Sequence, residues 1–127
     1  MYPKDLTYTK EHEWLKAEGD DVHVLGITDF AQKELGEVVF VDLPEVGDSF
    51  DAGEEIGSIE SVKAVAEVYT PVACKVVEVN GRLEDECELV NDDPHGAGWL
   101  CKLEVADATL EDAMDADAYA AFLAEGE

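Results

Sequence analysis

The apolar residues of this chain arrive in short bursts separated by turn formers, and that spacing limits the fold more than anything else in the sequence. VHVLGI (22–27), EVVFVDL (37–43) and KVVEVN (75–80) are each rich in Val, Ile or Phe and bordered by residues that favour turns, as strands require. GDSFDAGEEIGSIES (47–61) carries Gly53 and Gly57 as turn markers before a further β-like run. AVAEVYT (64–70) then alternates apolar with other residues until Pro71 ends it, so a hairpin centres near Ser61 to Lys63. Regular short strands without long helices between them predict an antiparallel sandwich or barrel, not a parallel α/β layer. Helices decorate this frame. TDFAQKEL (28–35) is one, with Thr28 or Asp29 as N-cap and Phe30, Ala31 and Leu35 on one side. Near the C-terminus Asp115 can cap a second, in which Tyr119, Phe122 and Leu123 follow i, i+3, i+4 spacing.

At 127 residues the chain is the size of one domain, read as a single unit over 1–127 with a helical extension over about 107–127. Thirty-two Asp and Glu against eight Lys and Arg give a formal charge of −24, spread from end to end. Such a surface repels nucleic acid and anionic lipid, so neither is expected as a partner. The same imbalance opposes folding through self-repulsion unless salt screens it, which points to a halophilic source. Three cysteines, Cys74, Cys87 and Cys101, form no CxxC pair, and an odd number precludes a complete disulfide framework. With no signal-peptide core and no apolar run near the roughly 20 residues of a membrane helix, the expectation is a cytoplasmic protein. His12 and Glu13 lack a second histidine four residues on, so no metal site is expected there.

Lys63 stands out because basic residues are scarce and this one sits on the hairpin turn, within ESVKA (60–64). A turn lysine is ordinarily a solvated charge, but a turn held between two strands can also present an amine to another protein. Four separate motifs occur in one order: YTKEHEWLK (8–16), GITDFAQKELGEVVFVDLPEVG (26–47), ESVKAVAEVYTPV (60–72) and VNDDPHGAGWL (90–100). Through them the chain resembles the H proteins of the glycine cleavage system over nearly its whole length.

The resemblance implies a mainly β, lipoyl-type barrel-sandwich hybrid of two antiparallel sheets, with a short internal helix and C-terminal helices. It implies a carrier and not an enzyme, with lipoate joined covalently to Lys63 and with Glu60, Ser61, Val62 and Ala64 as the recognition turn. The lipoyl arm accepts the aminomethyl group left when glycine decarboxylase (P protein) removes carbon dioxide. It presents that group to the folate-dependent aminomethyltransferase (T protein) and is reoxidised by dihydrolipoyl dehydrogenase (L protein). A lipoate ligase or a lipoyl/octanoyl transferase would attach the arm. Glu13 and Glu67 are the implied carboxylates for the loaded arm's ammonium, in a cleft that shields it from water. Cys74 and His95 depart from the usual glycine and tyrosine, and all three thiols are expected to serve packing.

Three other readings compete. A lipoyl domain of a 2-oxoacid dehydrogenase complex, or a biotin carrier, also places a lysine on a hairpin, but lacks the HEW and ITDFAQKELG segments. A Schiff-base enzyme using Lys63 with Glu60 or Glu67 needs a desolvated amine, whereas a turn lysine among carboxylates stays protonated. An acidic interaction domain would leave Lys63 unmodified.

Overall fold

A computed structural model describes residues 3–19, 21–105 and 114–125. Nine strands run β1 (Thr7–Tyr8), β2 (Glu13–Gly19), β3 (Val22–Ile27), β4 (Val38–Asp42), β5 (Ser49–Phe50), β6 (Glu55–Ser61), β7 (Val65–Tyr69), β8 (Cys74–Val79) and β9 (Cys101–Glu104). Three helices, α1 (Asp29–Leu35), α2 (Leu89–Asp92) and α3 (Ala116–Ala124), and a 3-10 turn at Gly81–Glu84 complete the described elements. The strands form a six-stranded sheet in the order β1-β2-β3-β9-β8-β5 and a three-stranded sheet in the order β4-β6-β7. Every pairing is antiparallel, the architecture expected from the short apolar runs.

The main core lies between the sheets, where Leu15, Leu25, Ile27, Val41, Ile59, Val68, Val76 and Leu103 meet. Side chains alternate faces along a strand, so Trp14 and Val24 point the opposite way from Leu15 and Leu25. They join a second cluster with Leu6, Tyr8, Ala116 and Tyr119, which α3 covers. Both faces of β3 are therefore buried near its end, which is why its sequence runs apolar where a half-exposed strand would alternate. Gly26 is paired with Trp14 across the ladder, and a Cβ there would be driven into the indole ring. The indole N–H bridges the carbonyls of Ile27 (2.9 Å) and Pro94 (3.0 Å).

Thr28, not Asp29, caps α1: its side chain accepts from the Ala31 N–H at 3.3 Å. Asp115 caps α3 through the Ala118 N–H at 2.8 Å, and Tyr119 is buried beneath that helix. Within the expected C-terminal extension the described residues hold this one helix; 107–113, 126 and 127 lie outside the described residues. Gly53 has φ 88° in a turn, as expected, but Gly57 lies inside β6, where the register with β7 shifts. A Cβ at Gly57 would collide with the Asp42 carbonyl oxygen on β4, so that glycine permits close strand approach and does not mark a turn.

Candidate functional site

Lys63 sits at the tip of the β6–β7 hairpin, exposed, with Glu60 and Val65 as the last cross-strand pair below it. Ser61 organises the turn. Its hydroxyl oxygen accepts from the N–H groups of Lys63 (3.3 Å) and Ala64 (3.1 Å), and the hydroxyl donates to the Ala64 carbonyl (3.2 Å). The Ser61 N–H closes the loop on the same carbonyl at 2.8 Å, and the Val62 N–H reaches the Glu37 carbonyl beside β4 at 3.0 Å. The backbone on both sides of the lysine is thus tied to the sheet while the side chain remains outside it. Gly36, the C-cap of α1, has φ 83°, which favours glycine, and it lies beside the lysine: a Cβ there would make ordinary contact with Lys63 Cε at 3.5 Å.

Beside the hairpin, α1, β2, β6 and β7 enclose a cleft of about 300 Å³. Ile27, Phe30, Ala31, Leu35, Ile59, Ala66 and Val68 supply apolar walls, and Glu11, Glu13, Glu34 and Glu67 supply carboxylates. The sequence singles out Glu13 and Glu67, and the fold brings both to this cleft. Glu11 and Glu34 were not singled out, because their approach depends on how α1 crosses the end of β2. At about 3.3 Å per residue, Glu67 lies about 13 Å along the hairpin from Lys63, within the scale of a long flexible arm.

Glu13 is only 3% exposed. One carboxyl oxygen accepts from the Tyr69 N–H (2.9 Å), the other from the Thr9 hydroxyl (3.3 Å). Burial pushes its pKa up to about 8; the hydrogen bond from Tyr69 opposes that shift and the nearby Glu11 charge adds to it. Glu13 is therefore mostly protonated at pH 7. Glu67 is exposed at the rim and accepts from the Tyr69 hydroxyl at 3.3 Å.

His12, with φ 67°, packs its ring 4.6 Å from that of Phe30, and its Nδ1 lies 2.7 Å from the Tyr119 hydroxyl. The same hydroxyl is 2.8 Å from Thr28 Oγ1, so α3 is tied both to the HEW segment and to the start of α1. His95 accepts from the Asp29 N–H at 3.1 Å, and burial lowers its pKa, which keeps the ring a neutral acceptor. Cys74 and Cys101 are buried and unpaired, Cys101 with its thiol pushed up to about 12 by burial. Cys87 directs its thiol to the Val38 carbonyl at 3.4 Å. Among the described residues no three His, Cys, Asp or Glu side chains converge to hold a metal ion, and no helix is long and apolar enough to cross a membrane.

The family model for the glycine cleavage H-protein matches residues 6–126. The chain belongs to the glycine cleavage H-protein family. A glycine cleavage system H protein from Listeria monocytogenes (strain HCC23) is 57% identical over 118 residues, covering 92% of this chain and 94% of its own. One from Symbiobacterium thermophilum is 53% identical over 125 residues, covering 98% and 97%. The crystal structure of the H protein from Mycobacterium marinum superposes with a TM-score of 0.89 at 37% identity, covering 97% of this chain and 99% of that one. The fold is thus the lipoyl-type barrel-sandwich hybrid. As a member of this family the chain is the lipoyl-carrying shuttle of the glycine cleavage system, a carrier component and not an enzyme. Its cofactor is covalent lipoate, and its partners are the P, T and L proteins.

Proposed function

We propose that Lys63 is the lysine that carries lipoate and that the adjacent cleft receives the arm once it is loaded. The observation that supports this most strongly is the pairing of an exposed lysine, on a turn fixed by Ser61, with a cleft of about 300 Å³ on the same hairpin. The residues fit the group on two counts: the walls match an aliphatic chain and ring, and the carboxylates match a cationic end. Once attached, the lipoyl dithiolane supplies a disulfide that is reduced as it takes up the aminomethyl group left from glycine.

The chain's own residues supply position, shelter and charge. Glu60, Ser61, Val62 and Ala64 present the lysine in one geometry to the enzyme that acylates it, a lipoate ligase or a lipoyl/octanoyl transferase. Ile59, Phe30 and Leu35 exclude water from the cleft, which slows hydrolysis of the carried group. Glu13 releases its proton to solvent water as the ammonium enters and then accepts a charge-assisted hydrogen bond from that ammonium, while Tyr69 and Thr9 hold the carboxyl in place. Glu67, at the exposed rim, draws the ammonium inward. The whole of 1–127 acts as one carrier domain, and a cytoplasmic location accords with three unpaired cysteines.

Replacing Lys63 with arginine tests the attachment site, because it keeps the charge and removes the acylatable amine. The variant should fold as the parent does, gain no lipoyl mass and support no glycine–bicarbonate exchange with the decarboxylase. Lipoyl mass on the variant would refute the assignment.

A further inference from the structure

The chain carries 32 Asp and Glu against eight Lys and Arg, yet a group of large apolar side chains is exposed around the lysine turn. Of the seven large hydrophobic residues exposed among the described residues, Val39, Phe40, Val62 and Val65 lie on β4 and the hairpin tip, at 46%, 56%, 67% and 59% exposure. The register explains their grouping. Phe40 on β4 faces Glu60 on β6, and Glu60 faces Val65 on β7, so the three form one row on the outer face of the smaller sheet. A register shift between Val38 and Phe40 breaks the alternation of β4, which leaves both Val39 and Phe40 exposed in succession. Val62 joins them because its N–H is tied to the Glu37 carbonyl next to β4. Glu37, Asp42, Glu60 and Glu67, all exposed, surround the group.

Ordinary packing does not account for this arrangement, since a strand residue facing water in so acidic a chain has no need to be phenylalanine. A second copy does not fit it, because two such rims would set like charge against like charge in a chain of formal charge −24. Reach decides among the partners. A lysine side chain extends only about 6 Å from its Cα, so an enzyme that acts on the Lys63 amine must close over the residues around it. A partner that acts on the far end of the finished arm meets no such requirement.

We propose that Phe40, Val62 and Val65 form the docking surface for the enzyme that acylates Lys63, whose matching face has an apolar depression rimmed by basic side chains. This rests on Lys63 being the attachment site. In the reaction that the contact serves, the Lys63 ammonium first loses a proton to a base on the partner enzyme, and the freed amine attacks the carbonyl carbon of an acyl adenylate that the enzyme makes from lipoate and ATP. The C–N bond forms, the bond from carbon to the phosphate oxygen breaks, AMP leaves with the electron pair and the amine loses one proton. Phe40 touches none of these atoms; it positions the lysine.

The test follows intact mass as the full-length chain without lipoate is incubated with a lipoate ligase, ATP and lipoate, with peptide mapping to locate the product. Phe40→Ser should lower kcat/KM for acylation by about tenfold, mainly through KM, as expected for loss of a central aromatic contact. Phe40→Leu should restore most of it, and Val46→Ser, which alters an exposed valine elsewhere, should leave the rate unchanged. Phe40→Ser driven to full lipoylation with excess ligase should then support glycine–bicarbonate exchange at the parental rate. Acylation of Phe40→Ser at the parental rate would overturn the proposal, and so would an equal fall in acylation and exchange, which would give the surface to the decarboxylase. If the parent gained lipoyl mass elsewhere and none at Lys63, the attachment reading itself would fall.

Discussion

Glu13→Gln separates what the buried carboxyl does for the cleft from what it does to the fold. In the unfolded chain this group titrates near its ordinary value of 4.5, and in the fold near 8. Between those values the folded state holds a proton that the unfolded state has lost, so stability falls as pH rises through this window and levels off above it. At 1.36 kcal/mol per unit the loss is about 3 kcal/mol at pH 7 and about 5 kcal/mol above pH 8. Glutamine stays neutral while keeping an acceptor for the Tyr69 N–H and a donor for the Thr9 hydroxyl. The variant without lipoate should therefore match the parent at pH 4.5 and pull ahead as pH rises. For a chain of 127 residues the gain at pH 7 corresponds to about 10 °C in Tm. Paired thermal melts at pH 4.5, 7 and 8.5 measure the difference directly, and charges common to both proteins cancel. The same variant, once loaded, should lose its aminomethyl group to water faster, because the ammonium has lost its anion. A stability difference that does not change with pH, or a variant less stable throughout, would refute the reasoning.

Ser61→Ala removes the acceptor shared by the Lys63 and Ala64 N–H groups, and should lower stability by about 1 kcal/mol and slow lipoylation more than that loss alone explains. Denaturant melts alongside mass-monitored acylation give both numbers. Gly26→Ala forces a methyl group into the Trp14 ring and should destabilise the fold by about 1–3 kcal/mol, read from the urea midpoint. With a formal charge of −24, Tm at pH 7 should rise with potassium chloride, with most of the electrostatic gain below about 1 M, where the Debye length reaches roughly 3 Å. A flat or falling series would remove the salt-adapted reading.

The sequence revealed those elements whose signal is local. β3 coincides with the apolar run 22–27, both of its faces being buried towards its end, and α1 coincides with the helical run that the sequence offers with Thr28 or Asp29 as cap. β2 escaped notice because EWLKAEG mixes buried Glu13, Trp14 and Leu15 with four exposed residues, a pattern that makes sense only with the second cluster under α3. β1 and β5 are two residues each, too short for any periodicity to register. Lys63 was legible because a turn lysine in a basic-poor chain is conspicuous. The part played by Ser61 was not, since a hydroxyl that closes a turn looks like any other polar residue in a loop. Glu13 was singled out through the HEW motif, but its burial, and the raised pKa that burial causes, come from tertiary packing that no local pattern records. Glu11 and Glu34 belong to the same cleft for tertiary reasons alone.

Intact mass with peptide mapping of the protein purified from its native source tests the central claim most directly. The account predicts a single lipoyl group, carried on the peptide that contains ESVKA and located at Lys63. Lipoate on any other lysine, with Lys63 unmodified, would contradict it.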